Sequence, residues 1–337
     1  MSTLTGGEIA IAGNHQQTGR LLCVLCDHEQ PVRRPVARAD PDHRPFDLYR
    51  CRGCGLVQQH PRYTPAQLAA LYGGDYYVFD EPEPSRWARA VQQYVVHLLA
   101  LEDPRGPRLL DVGCALGHLS ALAAARGWRV TGIDLSPQAV SEAASRFNLD
   151  FRAGRLAQFQ DTLPPFDVAF LGDVIEHVPR PTEFLRDVAR CLPPGGIVCI
   201  DTPNWGSTWR RLGRRRWLGL NKYHINLFDE DSLSRLLEDS GFDDSRFASY
   251  TNYRYAAAAD RPEVQALLNW LPRFLAWRVN RRLARRASRQ PWNLLRTEPP
   301  DSLGRALQLV DQLAALKPPE NGPTAADNLV GAAKRRP

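Results

Sequence analysis

Seven cysteines divide into two C-x-x-C pairs and three singletons. Cys23-Val-Leu-Cys26 and Cys51-Arg-Gly-Cys54 are separated by 24 residues, while Cys114, Cys191 and Cys199 stand alone. Each C-x-x-C turn offers two thiolates from one knuckle, and Zn²⁺ takes four such ligands in a tetrahedron. The alternative is a redox C-x-x-C, but two matched pairs favour structural zinc held by Cys23, Cys26, Cys51 and Cys54. Gly53 and Gly55 bracket the last cysteine, as tight knuckles prefer, and a complete Cys₄ set leaves neighbouring Asp27 and His28 no necessary role. Such a site has no open position, so its work is folding rather than catalysis.

A second pattern is Leu109-Leu110-Asp111-Val112-Gly113-Cys114-Ala115-Leu116-Gly117, an apolar strand that ends in an acid and runs through small residues into a helix. Small residues let the backbone approach a ligand closely. Asp134 ends the next apolar strand, 23 residues after Asp111, where a carboxylate can accept hydrogen bonds from ribose hydroxyls. The glycine spacing is GxxxG rather than GxGxxG, which favours a nucleoside reader over a pyrophosphate reader.

These residues need a frame to hold them, and the pattern from Arg108 supplies one. Strand-like RLLDVG, WRVTGID, FDVAFLGD and GGIVCIDTP alternate with helix-like HLSALAAARG, SPQAVSEAASRF and RPTEFLRDVARCL. Ser136 reads as an N-cap with Pro137 at the first helical position. The alternation predicts a doubly wound, mostly parallel α/β sheet with ligands at the C-terminal strand ends. DEDSLSRLLEDSGF adds a helix closed by Gly241, and RFASYTNY and DNLVGAAKRR read as late strands. The expected organisation is a flexible tail over 1–20, a zinc ribbon over 21–60 and a helical linker over 61–105. A central domain over 106–254, a helical insertion over 255–319 and a final strand within 320–337 follow.

The chain has 337 residues, 43% hydrophobic and 24% charged, which suits a folded protein with a sizeable core. No run approaches the roughly 18 apolar residues of a membrane span, and the start lacks a basic segment followed by an apolar one. A cytoplasmic location is the expectation. The net charge is +6, and all but three of the 43 basic residues are arginine. That excess is modest beside dedicated nucleic-acid binders.

The motifs Asp111-Val-Gly113-Cys114-Ala115-Leu-Gly117, Gly132-Ile-Asp134, Asp173-Val-Ile-Glu176-His177-Val178, Leu192-Pro-Pro-Gly195-Gly196 and His224-Ile-Asn-Leu-Phe228 resemble class I S-adenosylmethionine-dependent methyltransferases. With the cysteine pairs, Leu71-Tyr72-Gly-Gly-Asp75-Tyr76-Tyr77 and the DNLV ending, the chain is similar to zinc-ribbon methyltransferases of sugar, cell-envelope and natural-product pathways. The resemblance implies a Rossmann-like methyltransferase sheet with a small N-terminal zinc ribbon and a helical insertion before the last strand. It implies S-adenosylmethionine as cofactor, with Asp111 and Gly113, Cys114, Ala115 and Gly117 facing its methionine part. Asp134 would hold the ribose, with Leu135 beside it, Arg155 and Leu156 would lie near the adenine, and Asp173 would close the site. Two departures stand out. Ala115 replaces a glycine, which is tolerable where its φ is negative, and Ala153-Gly154-Arg155-Leu156 lacks the usual acid, leaving backbone contacts to adenine.

The implied reaction is in-line displacement at a sulfonium methyl, where positioning is the largest protein contribution. His177 has the residue type and ordinary pKa of a general base, Glu176 can orient it or bind a substrate hydroxyl, and His224 is a second base candidate. Tyr76 and Tyr77 can reach over the cleft. The expected acceptor is a small polar molecule, first a sugar, nucleotide-linked or glycosylated, with oxygen favoured over carbon.

A ribosomal-RNA guanine methyltransferase is the nearest rival. Arg33, Arg34, Arg38, Arg44, Arg50 and Arg52 suit RNA, but few aromatics accompany them. A cofactor-binding protein without turnover is a further rival. Arg210, Arg211, Arg214, Arg215 and Arg216 form a basic loop suited to phosphate or to solvent. In 272–289, Leu275, Val279 and Leu283 make a narrow apolar stripe among arginines, fit for a helical cap or for peripheral membrane contact.

Overall fold

A computed structural model describes residues 19–39, 46–64, 66–68, 79–213, 217, 219–255, 264, 275, 277–279, 281, 291–316 and 326–337. Short hairpins carry the cysteine turns. Strands β1 (Arg20–Leu22) and β2 (Glu29–Pro31) pair antiparallel on either side of Cys23–Cys26. Strands β3 (Ala37–Ala39), β4 (Phe46–Arg50) and β5 (Val57–His60) form an antiparallel run, with Cys51–Cys54 in the β4–β5 connection.

Thr64 caps a helical turn: Gln67 N donates to Thr64 Oγ1 at 3.3 Å and Thr64 N donates to Gln67 Oε1 at 2.8 Å. Helix α1 (Glu83–Gln93) continues through a π turn over Tyr94–Leu98 and a 3₁₀ turn over Leu99–Leu101. Its apolar face buries Trp87, Ala88, Val91, Tyr94 and Leu98 in a core shared with the sheet, so it is more than a connector.

Alternation then proceeds through β6 (Arg108–Val112), α2 (His118–Ala125), β7 (Arg129–Asp134), α3 (Pro137–Arg146), β8 (Asp150–Ala153), β9 (Val168–Gly172), α4 (Pro181–Arg190) and β10 (Ile197–Pro203). Ser136 Oγ accepts from Ala139 N at 3.2 Å, the cap expected there. After α5 (Thr208–Gly213) and the two-residue β11 (Asn226–Leu227) come α6 (Glu230–Asp239), β12 (Phe242–Tyr250), α7 (Leu303–Leu316) and β13 (Asn328–Arg335).

The main sheet has seven strands in the order β12-β13-β10-β9-β6-β7-β8, with β6 to β10 parallel and β13 antiparallel between β10 and β12. Both faces are covered, so parallel strands read as continuous apolar runs. On β6 and β9, Leu110, Val112, Ala169 and Leu171 enter one core, while Leu109, Val168 and Phe170 enter the other. The chain runs outward from β6 through β7 to β8 and returns to β9 on the other side of β6. The resulting switch point lies between β6 and β9, where the loops diverge and leave a crevice.

One pairing has no counterpart in the sequence expectation. Strand β11 adds to β5, with Asn226 opposite Gln58 and Leu227 opposite Val57, so the ribbon's sheet runs β11-β5-β4-β3. The ribbon thus borrows a strand from the connection after β10, and two residues carry no periodicity by which to predict it. Among the described residues no helix is long and apolar enough to cross a membrane. Of 272–289, only 275, 277–279 and 281 are described; there Leu275, Trp277 and Val279 are exposed.

Candidate functional site

Strand β6 delivers Asp111 to the crevice, buried, with Ser120 Oγ donating to its Oδ2 at 2.6 Å. Burial pushes this carboxyl up to about 7. Beyond it the loop turns through φ values of +80° at Gly113, +48° at Ala115 and +76° at Gly117. A Cβ on Gly113 would stand 2.4 Å from Val174 Cγ2, so the loop passes β9's extension at a distance only glycine allows. The expectation of a negative φ at Ala115 is corrected. Its left-handed backbone lets Ala115 N donate to Asp134 Oδ2 at 2.9 Å, a conformation an alanine holds at a cost of about 1–2 kcal/mol.

Asp134, at the end of β7, ties the cradle together. Its Oδ1 accepts from Ser136 N at 2.8 Å while Oδ2 holds Ala115 N. Each oxygen retains an acceptor site, and burial raises the carboxyl above its ordinary value. Leu135 stands 60% exposed beside it. Gly154 N donates to Asp134 O at 2.8 Å, which brings the turn after β8 alongside, with Arg155 exposed and Leu156 buried.

A cleft of about 90 Å³ lies at the switch point, bounded by Asp111 and the 113–116 loop on one side and Phe170, Gly172 and Asp173 on the other. Asp134, Leu135, Arg155 and Leu156 adjoin this cleft through the loop rather than line it. Helix α1 roofs the cleft with Arg86, Arg89 and Gln93, which sequence reasoning missed. The signal for them was Gln92 and Gln93 on the apolar face of α1, where buried amides need partners. Gln93 Nε2 donates to Asp173 Oδ2 at 3.4 Å, and Arg89 Nη1 stands 3.9 Å from the same oxygen. Asp173 has φ +55° and is pushed up to about 7, first by burial and then by the charge of Asp201, with Arg89 opposing.

Three residues past Asp173 a second group of polar side chains converges. Glu176 is fully buried on the 3₁₀ turn Ile175–His177. Its Oε2 accepts from Thr202 Oγ1 at 2.9 Å; its Oε1 has no hydrogen-bond partner and lies 3.8 Å from both His177 Nε2 and His224 Nε2. The two rings meet edge to face with centroids 4.9 Å apart. His177 Nδ1 donates to Tyr223 O at 3.0 Å, and His224 Nδ1 donates to Gly219 O at 2.9 Å. Burial lowers His177 to about 3, helped by His224, and lowers His224 to about 4. Both rings are therefore neutral at pH 7, and His177 lacks the near-neutral pKa on which its expected role as base relied. Burial, reinforced by Asp173, pushes Glu176 well above the ordinary carboxyl range.

The ribbon is hydrogen-bonded into this group. Ile225 N donates to Glu176 O at 3.0 Å and Gln59 N to Ile225 O at 2.9 Å, so β5 fixes the segment that carries His224. Tyr76, Tyr77 and Tyr72 lie outside the described residues, as do Arg214, Arg215 and Arg216.

In the ribbon, Cys23 Sγ lies 3.5 Å from Cys54 Sγ and Cys26 Sγ 3.5 Å from Cys51 Sγ, and all four sulfurs fall within 4.8 Å of one another. Leu25 N donates to Cys23 Sγ at 3.4 Å and Gly53 N to Cys51 Sγ at 3.3 Å, as in a knuckle. Four sulfurs about 2.3 Å from a tetrahedral ion stand about 3.8 Å apart, so this group fits a zinc ion with little adjustment.

Residues 80–245 match a family model described as a methyltransferase domain. The match covers just under half of the chain and takes in five strands and the start of a sixth in the seven-stranded, mixed α/β Rossmann-like sheet. A ubiquinone biosynthesis O-methyltransferase of Caulobacter sp. (strain K31) is 38% identical over 105 residues, 29% of this chain and 42% of that protein. A Mycolicibacterium smegmatis protein named "Probable S-adenosylmethionine-dependent methyltransferase" is 30% identical over 165 residues, 48% of this chain and 61% of the relative. The chain thus spans about two fifths to three fifths of these relatives' length. A solved Haemonchus contortus phosphoethanolamine N-methyltransferase 2 in complex with S-adenosyl-L-methionine superposes with a TM-score of 0.48 at 15% identity, covering 90% of this chain and 71% of that one.

Proposed function

We propose that this chain is an S-adenosylmethionine-dependent methyltransferase that acts on a hydroxyl oxygen of a small polar acceptor, first a sugar or glycosylated intermediate. The observation that carries the reading is the cradle at the switch point: a left-handed loop pinned by Asp134, with acceptor sites of that carboxylate still to be filled. The match of residues 80–245 to a methyltransferase domain supports it. Relatives named for O-methylation support oxygen as the nucleophile.

S-adenosylmethionine, when bound, supplies a methyl group on a positively charged sulfur. The chain's part is to hold and align. The 113–117 loop admits the methionine half, Asp134 accepts from the ribose hydroxyls, and exposed Leu135 offers apolar cover near the base. Arg155 and Leu156 border the adenine side, with contacts from backbone. Asp111 and Asp173, raised to about 7, would move toward their charged forms beside a bound cation, because positive charge lowers a carboxyl pKa. With that methyl donor in the crevice, an acceptor hydroxyl would stand on the side of Glu176, His177 and His224, the groups that would take up or pass on its proton. Tyr76 is a further candidate on the sequence alone.

The Cys₄ group holds a structural Zn²⁺, and seven unpaired thiols suit a reducing, cytoplasmic compartment. A second reading has one observation in its favour. A groove of about 580 Å³ on the ribbon is lined by Arg33, Arg34, Arg50 and Arg52 with Tyr49, a surface suited to an RNA backbone.

Methyl-labelled cofactor, incubated with cell metabolites and with RNA and read by mass spectrometry, tests these readings. Label in small hydroxylated metabolites is expected, and it should fall in His177→Ala. Label confined to RNA rejects the acceptor class. Cofactor heat without label in any fraction favours a binding protein without turnover.

A further inference from the structure

We propose that Glu176, His177 and His224 form a binding site for a divalent transition-metal cation, separate from the cysteine ribbon. The three groups converge, with one ligand atom from each within 4.8 Å of the other two. Each histidine gives its Nδ1 proton to a backbone carbonyl, Tyr223 O at 3.0 Å and Gly219 O at 2.9 Å, and a carbonyl can only accept. Both rings therefore present the Nε2 lone pair, and both Nε2 atoms lie 3.8 Å from the same oxygen, Glu176 Oε1. That oxygen is fully buried and receives no hydrogen bond, while its partner Oε2 is satisfied by Thr202.

The orphaned Glu176 oxygen and the two Nε2 atoms lie within 4.8 Å of one another, and a buried acceptor without a donor is stabilised by positive charge beside it. A proton on Glu176 answers only one ring, and at 3.8 Å it forms no hydrogen bond with either. A cation answers all three. Bonded at about 2.1 Å to each of two ligands, it holds them about 3.4 Å apart at a tetrahedral angle, so the group closes by a few tenths of an ångström. Hydrogen bonds from Nδ1 to carbonyls are the arrangement that orients metal-binding imidazoles. Asn221 Nδ2 stands 3.2 and 3.0 Å from the two nitrogens of His224 and so lies over the ring face, away from the Nε2 lone pair.

Two neutral imidazoles and one carboxylate suit Mn²⁺, Fe²⁺, Co²⁺ or Zn²⁺ better than the oxygen-seeking Ca²⁺ and Mg²⁺. Three protein ligands leave coordination positions open. The binding itself stands apart from the methyl-transfer reading; its use rests on that reading. An open position would take the acceptor's hydroxyl oxygen, whose proton leaves to solvent as the oxygen bonds to the metal and then attacks the methyl carbon.

Mn²⁺ is the probe, because a zinc-filled thiolate ribbon does not take it. Zinc-loaded full-length chain titrated with Mn²⁺, with free Mn²⁺ read by electron paramagnetic resonance, should bind about one ion per chain. Glu176→Gln and His224→Ala, each checked for fold by circular dichroism, should weaken that binding at least about 100-fold. If a variant loses its fold, Mn²⁺-induced broadening of the histidine ring protons of the wild-type chain decides instead: broadening of two buried histidines supports the site, and its absence overturns it. A wild-type chain that takes up no Mn²⁺, or folded variants that bind as it does, overturns the proposal. Bound Mn²⁺ with no calorimetric heat from S-adenosylmethionine leaves the site standing and removes the methyl-transfer reading.

Discussion

The ribbon and the C-terminal edge of the main sheet each gather metal-type or charged side chains, and they do it by opposite means. In the ribbon, each pair of sulfurs comes from one four-residue turn, and backbone N–H groups of Leu25 and Gly53 already point at sulfur. At the sheet edge, Asp111 and Asp134 end neighbouring strands, and His224 reaches Glu176 and His177 from the connection after β10. Local turns build the first site. Long-range pairing builds the second, and part of that pairing is lent by the ribbon through β5 and β11.

Removing the zinc proposed for the ribbon tests this dependence most severely. Structural zinc contributes about 10 kcal/mol or more of binding free energy in small Cys sites. Chelation at pH 7 should therefore unfold β3–β5 and release β11, read as lost hydrogen-exchange protection at Val57–His60 and Asn226–Leu227. Protection that survives zinc loss would break the comparison, since packing alone would then hold the ribbon.

Asp134→Ala probes the sheet edge alone. Charge-assisted hydrogen bonds contribute about 1.5–3 kcal/mol each, so calorimetry should show S-adenosylmethionine affinity falling about 100-fold, with zinc content unchanged. Equal affinity in the variant would remove Asp134 from the cofactor site.

Titration separates the two regions further. His177 and His224 are neutral in the fold, held to about 3 and about 4, but protonate near 6.5 when unfolded. Their contribution is whole above about pH 6.5 and is lost as pH falls toward 4, because the unfolded chain then binds more protons. Asp111 and Asp173, raised from 3.8 to about 7, act in the other direction, and their stabilisation is lost as pH rises through that range. Replacing both histidines with glutamine should reduce the loss of stability between pH 6.5 and 4.5 by on the order of 3 kcal/mol. Urea unfolding at both pH values measures it, and an unchanged difference would place these rings in solvent.

The smallest expected effect is at Ala115, whose φ of +48° suits glycine. Ala115→Gly should raise the melting temperature slightly, by about 1 kcal/mol or less in stability. A lower melting temperature would mean that the Ala115 methyl, packed beside Leu116 and Ala139, outweighs the strain.

Much of this molecule is legible in its sequence. The Ser136-Pro137 cap, the Gly241 stop and the alternation after Arg108 are short-range statements about backbone preference, and the structure has each where the pattern put it. By sequence, helix α1 is no more than a helical linker, because periodicity reveals an apolar face but not what that face covers. Tertiary packing made it the roof that brings Arg89 and Gln93 to Asp173. The ordinary pKa assumed for His177 failed for a related reason: the residue type sets the reference value, and burial moved it.

By itself the sequence determined most of the strands and helices after Arg108, which cysteines share a turn, and that an acid stands at the end of each of the first two strands of the sheet. These depend on neighbours within a few residues, where sterics and hydrogen-bond geometry act directly. Only the tertiary structure decided that residues 176 and 224 meet, that an orphaned carboxylate oxygen faces two imidazoles, and that Ala115 adopts a left-handed turn. Those outcomes rest on strand register across long stretches of chain and on exclusion of water, and no local pattern of residues encodes either.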